Sequence, residues 1–274
     1  MTQQITKDTT LCMSLAARPS NFGTRFHNYL YEALGLDYLY KAFTTTDLPA
    51  AIGGVRALGV RGCAISMPFK EAVIPLIDEL DDSARAIESV NTIVNTSGHL
   101  RAYNTDYIAI GRLLRERRVP PEVSFALRGS GGMAKAVACA LKDAGFRNGV
   151  IVARNEAVGR ALADRCGFGW QADVAELRAE MLINVTAIGM SGGVEAETLA
   201  FDEALIDAAS VVFDVVAIPP ETPLIRAARR HGKPVITGAE VFAIQAVEQF
   251  VLYTGVRPDN ELFQRAAAFA RAST

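Results

Sequence analysis

Cysteine, histidine and tryptophan are scarce in this chain of 274 residues, which has four cysteines, three histidines and one tryptophan. Cys12, Cys63, Cys139 and Cys166 lie far apart in apolar surroundings, and none belongs to a Cys-x-x-Cys pair of the kind that binds zinc or exchanges disulfides. The histidines show no ligand spacing either. We therefore expect no metal, and we interpret the cysteines as small buried side chains in a reducing compartment.

The chain also lacks an excess of either charge. Its 28 basic and 30 acidic residues leave a net charge of −2, so no overall field attracts nucleic acid or an anionic membrane. No apolar run approaches the roughly 18 residues that span a bilayer, and the stretch from Met1 to Thr10 is too polar for a signal peptide. We expect a cytoplasmic protein, a monomer or homodimer, whose partner is a small molecule.

Short apolar runs alternate with helical patterns along the first part of the chain. Half of the residues are hydrophobic, and a chain of this length favours two domains. The runs follow a βαβαβ order, which predicts a mainly parallel sheet in an N-terminal α/β domain over residues 1–106. The predicted strands and helices are Thr10–Leu15, Phe26–Leu34, Leu39–Thr44, Leu48–Leu58 and Gly62–Ser66.

A helical pattern from Thr105 to about Arg117 ends at Pro120-Pro121, where a helix cannot continue, and a second βα series follows. This series predicts a doubly wound, Rossmann-type dinucleotide-binding domain over residues 107–236. Two helices predicted within residues 237–274 are expected to pack back onto the first domain. The strands and helices of the second series are Val123–Leu127, Gly132–Ala144, Gly149–Ala153, Ala157–Cys166, Met181–Val185, Val211–Val215 and Pro234–Ile236.

A glycine-rich turn, Gly129-Ser130-Gly131-Gly132, follows the first strand of this series and opens a helix that begins Met133-Ala134. Glycines let the backbone turn tightly and approach a pyrophosphate, whose charge rests on free N–H groups at the helix N-terminus. A glycine-rich turn alone often serves packing only, but the strand before it and the helix after it make this one informative. We predict that these residues bind NAD(P).

The ribose 2′ position of such a cofactor is recognised where the next strand ends, here at Arg154-Asn155-Glu156. The guanidinium of Arg154 suits a 2′-phosphate, whereas the carboxylate of Glu156 suits the free hydroxyl of NAD and repels a phosphate. Each charge is equally compatible with a plain exposed loop. The sequence therefore predicts a nicotinamide dinucleotide and leaves NAD or NADP open.

Lys70 follows a buried strand, in the run Ser66-Met67-Pro68-Phe69-Lys70. This places the lysine near the carboxyl end of a parallel sheet, where open α/β folds bind ligands. Asp106 lies in the first turn of the helix that begins at Thr105, where an acidic residue also stabilises the helix dipole. The alternative interpretation of the two charges is a plain salt bridge between domains.

Taken together, these motifs resemble the shikimate dehydrogenase family in order and spacing, over nearly the whole chain. The resemblance implies an NAD(P)-dependent oxidoreductase that acts on a CH–OH group. Its reaction would interconvert 3-dehydroshikimate and shikimate, or a related cyclic hydroxy acid such as quinate, and residues 1–106 would be the substrate domain. The matching segments are Met67-Pro68-Phe69-Lys70, Val90-Asn91-Thr92, Asn104-Thr105-Asp106, the glycine loop, Asn184 to Met190, Asp214 with Pro219 to Pro223, and Gly238 to Gln245.

The resemblance also implies roles for individual residues. Lys70 and Asp106 form the catalytic pair, because a lysine with a lowered pKa can accept the hydroxyl proton while the hydride passes to the nicotinamide. The residues implied in substrate binding are Ser66, Asn91 and Gln245. The residues implied in further cofactor contacts are Thr186, Ala187, Val215 and Gly238. Two alternatives stay open: a dinucleotide-binding regulatory protein with little turnover, and a dehydrogenase for a different small hydroxy acid.

Three places depart from the family pattern. Asn21-Phe22-Gly23 stands where a Ser-x-Ser pair usually binds the substrate carboxylate, and Ser20 and Thr24, which flank this stretch, offer substitute hydroxyls. Ala217 replaces a tyrosine, and Glu240 replaces a glycine. Lost hydroxyl donors and an added acid would weaken shikimate binding if these groups are buried. The chain therefore resembles the shikimate dehydrogenase-like paralogue branch, and the sequence leaves its substrate and direction of flux open.

Overall fold

Six strands form the sheet of the first of two compact units in the computed structural model, which describes residues 5–272. This unit comprises the described residues up to Thr105 and those from Gln245 onward. Its strands lie in the order β2-β1-β3-β5-β6-β4, and all except β5 run in the same direction, so the sheet is mainly parallel, as predicted. The strands are β1 (Thr10–Leu15), β2 (Tyr38–Phe43), β3 (Gly62–Ile65), β4 (Glu79–Leu80), β5 (Thr92–Thr96) and β6 (His99–Tyr103).

The second unit, Asp106–Ile244, contains a six-stranded sheet in which every neighbouring pair is parallel. The strand order is β12-β11-β10-β7-β8-β9, so the first strand of the unit is central and the order reverses beside it. This is the doubly wound arrangement, which confirms the predicted Rossmann-type fold, and its ligands bind at the carboxyl ends of the strands near the reversal. The strands are β7 (Phe125–Arg128), β8 (Gly149–Val152), β9 (Gly169–Gln171), β10 (Met181–Asn184), β11 (Val211–Asp214) and β12 (Val235–Thr237).

Helices alternate with these strands along the chain. Several begin at a side chain that accepts a hydrogen bond from the backbone of the first turn, as at Asp47, Asn155, Thr222 and Asp259. The chain passes between the units within α5 and again within α10. The helices are α1 (Phe22–Ala33), α2 (Leu48–Ala57), α3 (Phe69–Ala72), α4 (Asp82–Arg85), α5 (Thr105–Glu116), α6 (Gly132–Asp143), α7 (Glu156–Cys166), α8 (Glu203–Ala208), α9 (Pro223–Arg230), α10 (Gly238–Thr254) and α11 (Asn260–Arg271).

The cysteines are buried and free, as the sequence analysis predicted. Cys12 and Cys63 lie in the first unit and have pKa values raised by burial, which keeps both thiols protonated and unreactive. Cys139 and Cys166 lie in the second unit, with their sulfur atoms 3.8 Å apart. Across residues 5–272, no helix has both the length and the apolar character needed to cross a membrane.

His27 of α1 is fully buried in the first unit among aromatic rings. Its imidazole stacks on the ring of Tyr40 with centroids 4.4 Å apart, and neither ring nitrogen has a hydrogen-bond partner of good geometry within the described chain. Burial lowers the pKa of His27 to about 3, although the side chain of Gln249 acts in the opposite direction. The histidine is therefore a neutral residue of the core.

A His27→Phe variant should remove a pH dependence of stability. Because the folded pKa of His27 lies below the unfolded value of 6.5, the unfolded chain binds the proton first as the pH falls. The free energy of unfolding of the wild type should therefore drop relative to the variant by about 1.4 kcal/mol for each pH unit below the unfolded value. Urea unfolding followed by near-ultraviolet circular dichroism measures this difference. Parallel pH profiles would contradict the burial of a neutral imidazole.

Candidate functional site

The glycine turn follows the central strand of the second unit. Gly129 has a φ of +125°, which side-chain-bearing residues rarely adopt. A Cβ atom on Gly129 would lie 2.8 Å from Cγ2 and 3.1 Å from the carbonyl oxygen of Val185. The backbone N–H of Gly129 donates to the carbonyl of Val152 over 2.9 Å. The turn is therefore fixed between the ends of β8 and β10, and only glycine fits at its first position.

Helix α6 begins directly after this turn with an open N-terminus. Gly131 precedes its first residue in extended backbone, no side chain caps the helix, and its first turn has no acidic residue. A Cβ atom on Gly131 or Gly132 would meet nothing within 4 Å. Free N–H groups at a helix N-terminus, with no side chain in front of them, form a site for a phosphate group. This cradle fits the pyrophosphate of a dinucleotide.

A pocket of about 550 Å³ opens beside the turn. It brings together seven of the residues predicted to bind the cofactor: Gly129, Ser130, Gly131, Arg154, Asn155, Thr186 and Ala187. The other residues along its wall are Arg128, Val152, Ala153, Ala172, Asp173, Val185, Ile188 and Glu195. The pocket thus lies at the carboxyl ends of β7, β8 and β10, where the strand order reverses.

The remaining predicted cofactor residues lie outside this wall. Glu156 is exposed and forms an ion pair with Arg160 over 2.8 Å. Gly132 and Met133 belong to the first turn of α6, and Ala134 is buried beneath them. Gly238 packs on Val215, because a Cβ atom there would lie 2.3 Å from the Val215 carbonyl oxygen. Gly238 therefore has a packing role that holds the start of α10 against the end of β11.

A buried hydrogen-bond network joins the loops after β10 and β11. The carboxylate of Asp214 accepts from Asn184 Nδ2 at 3.0 Å, from Thr222 Oγ1 at 2.6 Å and from the Val216 N–H at 3.1 Å. The amide oxygen of Asn184 in turn accepts from the N–H and the hydroxyl of Thr186. Thr186, a predicted cofactor residue, is thereby held in the wall of the pocket.

Burial raises the pKa of Asp214 from 3.8 to about 6, while its three hydrogen bonds oppose the shift. The folded state therefore retains a proton that the unfolded chain releases, and this group makes stability fall as the pH rises between the two values. Replacing Asp214 by Asn should remove that contribution. Between pH about 4 and about 7, the wild type should lose up to about 3 kcal/mol relative to Asp214→Asn.

Urea unfolding followed by the fluorescence of Trp170 measures this difference. Trp170 is the one tryptophan of the chain and lies in β9, so its emission reports on the second unit. Other titrating groups are common to both proteins and cancel in the comparison. If the two stability curves run parallel across this pH range, the aspartate is ionised in the folded state with an ordinary pKa.

A polar cluster lies in the first unit around Asn91. Its side-chain oxygen accepts from the backbone N–H of Thr105 at 2.8 Å and from the Thr105 hydroxyl at 3.1 Å. The oxygen of the same hydroxyl also lies 3.2 Å from Gln245 Oε1. Gln249, one helical turn further along α10, donates to the Asn91 carbonyl and to Thr92 Oγ1. The structure thus brings together the predicted substrate residues Asn91 and Gln245.

The amide nitrogens of Asn91 and Gln245 make no hydrogen bond to any residue within 5–272. Both side chains use only their oxygen atoms inside the cluster, so both N–H₂ groups can donate to hydroxyl groups of a ligand. Asn91 is 3 % exposed and Gln245 is half-buried.

Lys70 lies in α3, just beyond the carboxyl end of β3, as predicted. Its backbone carbonyl accepts from the Val90 N–H at 2.8 Å, and the N–H of Ser66 donates to the Leu15 carbonyl at 2.9 Å. These bonds attach the lysine segment to the sheet of the first unit. Asp106, in the first turn of α5, is the first residue of the second unit and is 8 % exposed.

Ser20, Asn21 and Thr24 lie at the N-terminus of α1. Asn21 occupies the capping position, but its side chain makes no capping hydrogen bond, and no acidic residue lies in the first turn. Ser20 and Asn21 are exposed and Thr24 is half-buried at this end of the helix, where the helix dipole is positive and suits a carboxylate. Within residues 5–272, no group of three or more histidine, cysteine or acidic side chains is arranged to hold a metal ion.

Comparison with known proteins identifies the family. Residues 22–93 match the shikimate dehydrogenase substrate binding domain. A shikimate dehydrogenase-like protein of Haemophilus influenzae is 58% identical over 97% of this chain and 98% of its own length. The chain belongs to the shikimate dehydrogenase family. An NADP(+)-dependent shikimate dehydrogenase of Pyrococcus abyssi is 36% identical over 88% of this chain and 90% of its own length.

Solved structures of shikimate dehydrogenase family members have the same fold. A shikimate 5-dehydrogenase-like protein superposes with a TM-score of 0.97 at 58% identity, over 98% of this chain and all of the other. The Thermus thermophilus enzyme with NADP(H) and shikimate gives 0.85 at 28% identity, over 95% and 99%. Quinate dehydrogenase of Corynebacterium glutamicum with NAD gives 0.84 at 28% identity, over 95% and 98%.

One departure from the shikimate dehydrogenase pattern has a structural reason. A Cβ atom on Gly23 would lie 3.4 Å from the Tyr40 ring, which is an ordinary van der Waals contact, so packing does not explain that glycine. The Glu240 carboxylate accepts from the N–H and the hydroxyl of Thr237, each over 2.8 Å, and forms an ion pair with Arg117. Glu240 is therefore the second half of a capping box at the start of α10 rather than an acid free to face a substrate. Nothing in the structure explains Ala217.

Several site residues escaped the sequence analysis. Gln249 holds Asn91 and Thr92, and its only signal in the sequence is its position one turn after Gln245 on the same face of a helix. Arg128 and Glu195 line the cofactor pocket. The sequence shows Arg128 only as the last residue of a strand and Glu195 only as an acidic residue in a loop. Neither has a pattern that predicts its place in the pocket wall.

Proposed function

We propose that this protein is an NADP-preferring dehydrogenase that interconverts shikimate and 3-dehydroshikimate, or a closely related cyclic hydroxy acid such as quinate and its ketone. Membership of the family supports the reaction class. The observation that carries the proposal is the open glycine turn and the pocket beside it, which together fit a dinucleotide. Among family members, the structures with NADP(H) or NAD support a nicotinamide cofactor.

The preference for NADP is supported by the charges at the ribose end of the pocket. Arg154 lines the pocket, and within the described chain it forms no ion pair or hydrogen bond that would occupy its guanidinium. Glu156, the residue that would favour NAD, is paired with Arg160 and lies outside the pocket wall. A 2′-phosphate is therefore attracted by Arg154 and not repelled by Glu156.

The substrate proposal rests on the first unit. The N-terminus of α1, with Ser20, Asn21 and Thr24, is suited to the carboxylate of the substrate. The amide nitrogens of Asn91 and Gln245, and the exposed hydroxyl of Ser66, are suited to its ring hydroxyls. A ring carrying one carboxylate and several hydroxyls satisfies both sets of donors.

The acid–base chemistry is assigned to Lys70 and Asp106. Oxidation of a secondary alcohol requires removal of the hydroxyl proton while the dinucleotide accepts the hydride. Lys70 takes that proton, and Asp106 is assigned as its partner in the acid–base chemistry. In the reverse direction the protonated lysine returns the proton to the ketone oxygen.

The test follows absorbance of the reduced nicotinamide with purified protein, offering shikimate and quinate, each with NADP and with NAD. We expect turnover with shikimate and NADP, a much smaller kcat/KM with NAD, and loss of turnover in Lys70→Ala. Dinucleotide binding without turnover on either acid would instead support a binding protein or a different hydroxy acid. Faster turnover with NAD than with NADP would contradict the cofactor assignment.

A further inference from the structure

Arg128 is the last residue of the central strand β7, and its side chain lies on one particular face of the sheet. Side chains alternate along a strand, so Arg128 and Ala126 point to the same face. Ala126 packs there with Val152 and with Leu224 of α9. Phe125 points to the other face, where its ring contacts Phe146 and Phe168, which follow α6 and α7. Arg128 is therefore directed away from α6.

This direction separates Arg128 from the pyrophosphate cradle. The free N–H groups of α6 lie at the start of that helix, on the face to which Arg128 does not point. Arg128 nevertheless lines the same pocket as Arg154, which follows β8. Val152, the last residue of β8, packs on the Arg128 face of the sheet. The two guanidinium groups thus approach the ribose end of the pocket from adjacent strands.

The surroundings of Arg128 leave most of its donors unused. One Nη atom donates to the Ala200 carbonyl, and no ion pair engages the group within residues 5–272. Burial lowers the pKa of Arg128, the carboxylate of Glu195 raises it, and the positive charge of Arg154 lowers it. Asp173 also lines the pocket, but its Oδ1 atom accepts from the Ala175 N–H. Two cations sharing one pocket are stabilised when a dianion lies between them.

We propose that Arg128 is a specificity residue for the cofactor, which binds the 2′-phosphate of NADP together with Arg154. The assignment rests on the NADP preference proposed above and adds a second cation, supplied by the central strand. A guanidinium presents donors in a fork that matches phosphate oxygens, and Arg128 has donors left after its bond to Ala200. Glu195 faces the same cation and competes with the phosphate for it.

Calorimetric titration with adenosine 2′,5′-bisphosphate and with adenosine 5′-monophosphate tests the assignment without turnover. In Arg128→Leu, affinity for the bisphosphate should fall about tenfold to hundredfold, because hydrogen bonds to charged groups are lost. Affinity for the monophosphate should change less than about threefold, since that ligand lacks the 2′-phosphate. Arg178→Leu, which removes an exposed arginine outside the pocket wall, is the matched control and should bind both ligands as the wild type does.

A purely structural role predicts a different pattern. If Arg128 only ties the chain to the Ala200 carbonyl, Arg128→Leu weakens both ligands equally, and the assignment is overturned. If Arg154→Leu abolishes discrimination while Arg128→Leu keeps it, NADP preference stands and only the role of Arg128 fails. If the wild type binds the two ligands equally, the NADP preference fails first. The variants therefore test the role of Arg128, whereas the wild-type comparison tests the NADP preference.

Glu195→Gln gives a second measurement that does not depend on folding of the Arg128 variants. The Glu195 side chain is exposed, and its backbone carbonyl, which accepts from the Gly189 N–H, is left in place. Removing the competing carboxylate should tighten binding of the bisphosphate about threefold and leave the monophosphate unchanged. Unchanged affinity for the bisphosphate in this variant would argue that no phosphate lies beside Arg128.

Discussion

A Lys70→Met variant should bind NADP with wild-type affinity while its kcat for shikimate oxidation falls about 10³-fold. Methionine retains the length of the side chain but cannot take up the hydroxyl proton. The backbone of residue 70 keeps its hydrogen bond to Val90, so the segment after β3 should keep its conformation. Steady-state kinetics at saturating substrate, combined with calorimetric titration of NADP, separates the loss of chemistry from a loss of binding.

The assignment of Asp106 as the partner of Lys70 leads to a second prediction. Asp106→Asn should also lower kcat strongly, and the double variant should lose little more than Lys70→Met alone, because residues that act as a unit are not additive. Lys7→Met, an exposed lysine whose partner is Asp8, serves as the control and should retain full activity. Additive losses, or a variant with a raised KM and normal kcat, would instead assign Lys70 to substrate binding.

The longer strands and helices were predictable because each has a strong local signal. β1 and α2, for example, were expected at Thr10–Leu15 and Leu48–Leu58 and lie at Thr10–Leu15 and Leu48–Ala57. Strands of a parallel sheet are covered on both faces, so they appear in the sequence as apolar runs. The glycine loop then predicts that the second unit has a dinucleotide-binding fold. The order of the strands then follows from the right-handed crossovers of such folds.

The short strands of the first unit were not predictable from a hydrophobic period. β4 contains two residues, Glu79–Leu80, and pairs in parallel with β6. β6 pairs with β5 through a tight turn at Ser97-Gly98, where both residues have positive φ. This hairpin makes β5 antiparallel to the other described strands of its sheet. The alternation of apolar and polar residues in β4 and β6 is too short to distinguish either strand from a loop. Each is stabilised by pairing with a neighbouring strand, which the local sequence does not show.

The residues of the candidate site likewise divide into those that the sequence predicts and those that only the tertiary structure locates. Gly129 and Arg154 were predicted because the local sequence places them at strand ends, whereas Thr186 was implied by the family resemblance, and all three line one pocket. Glu240 was interpreted as an added acid that would weaken shikimate binding if buried, yet its carboxylate accepts from the N–H of Thr237, three residues earlier, in a helix cap. Arg128 required tertiary structure, since only the alternation of β7 against the neighbouring cores directs its side chain into the pocket wall.

Gly129→Ala and Gly131→Ala should have different effects, although the two glycines are two positions apart in one turn. At Gly129, with a φ of +125°, an added Cβ atom would lie 2.8 Å from Val185 Cγ2. The variant combines backbone strain with overpacking, so its free energy of unfolding should fall by about 2 to 4 kcal/mol. Trp170 fluorescence during urea unfolding measures this loss in the second unit.

Gly131 has an ordinary extended backbone, with a φ of −79°, and a Cβ atom there would meet nothing within 4 Å. Gly131 is the N-cap of α6, where alanine is less favourable than glycine, so Gly131→Ala should lower the free energy of unfolding by only about 1 kcal/mol. The new methyl group points into the open space before α6, so NADP affinity should still fall about tenfold or more. Gly35→Ala, a positive-φ glycine of the first unit, controls for strain alone and should leave NADP affinity unchanged. Wild-type affinity in Gly131→Ala would mean that the pyrophosphate does not approach this turn, because backbone contact there leaves no room for a side chain.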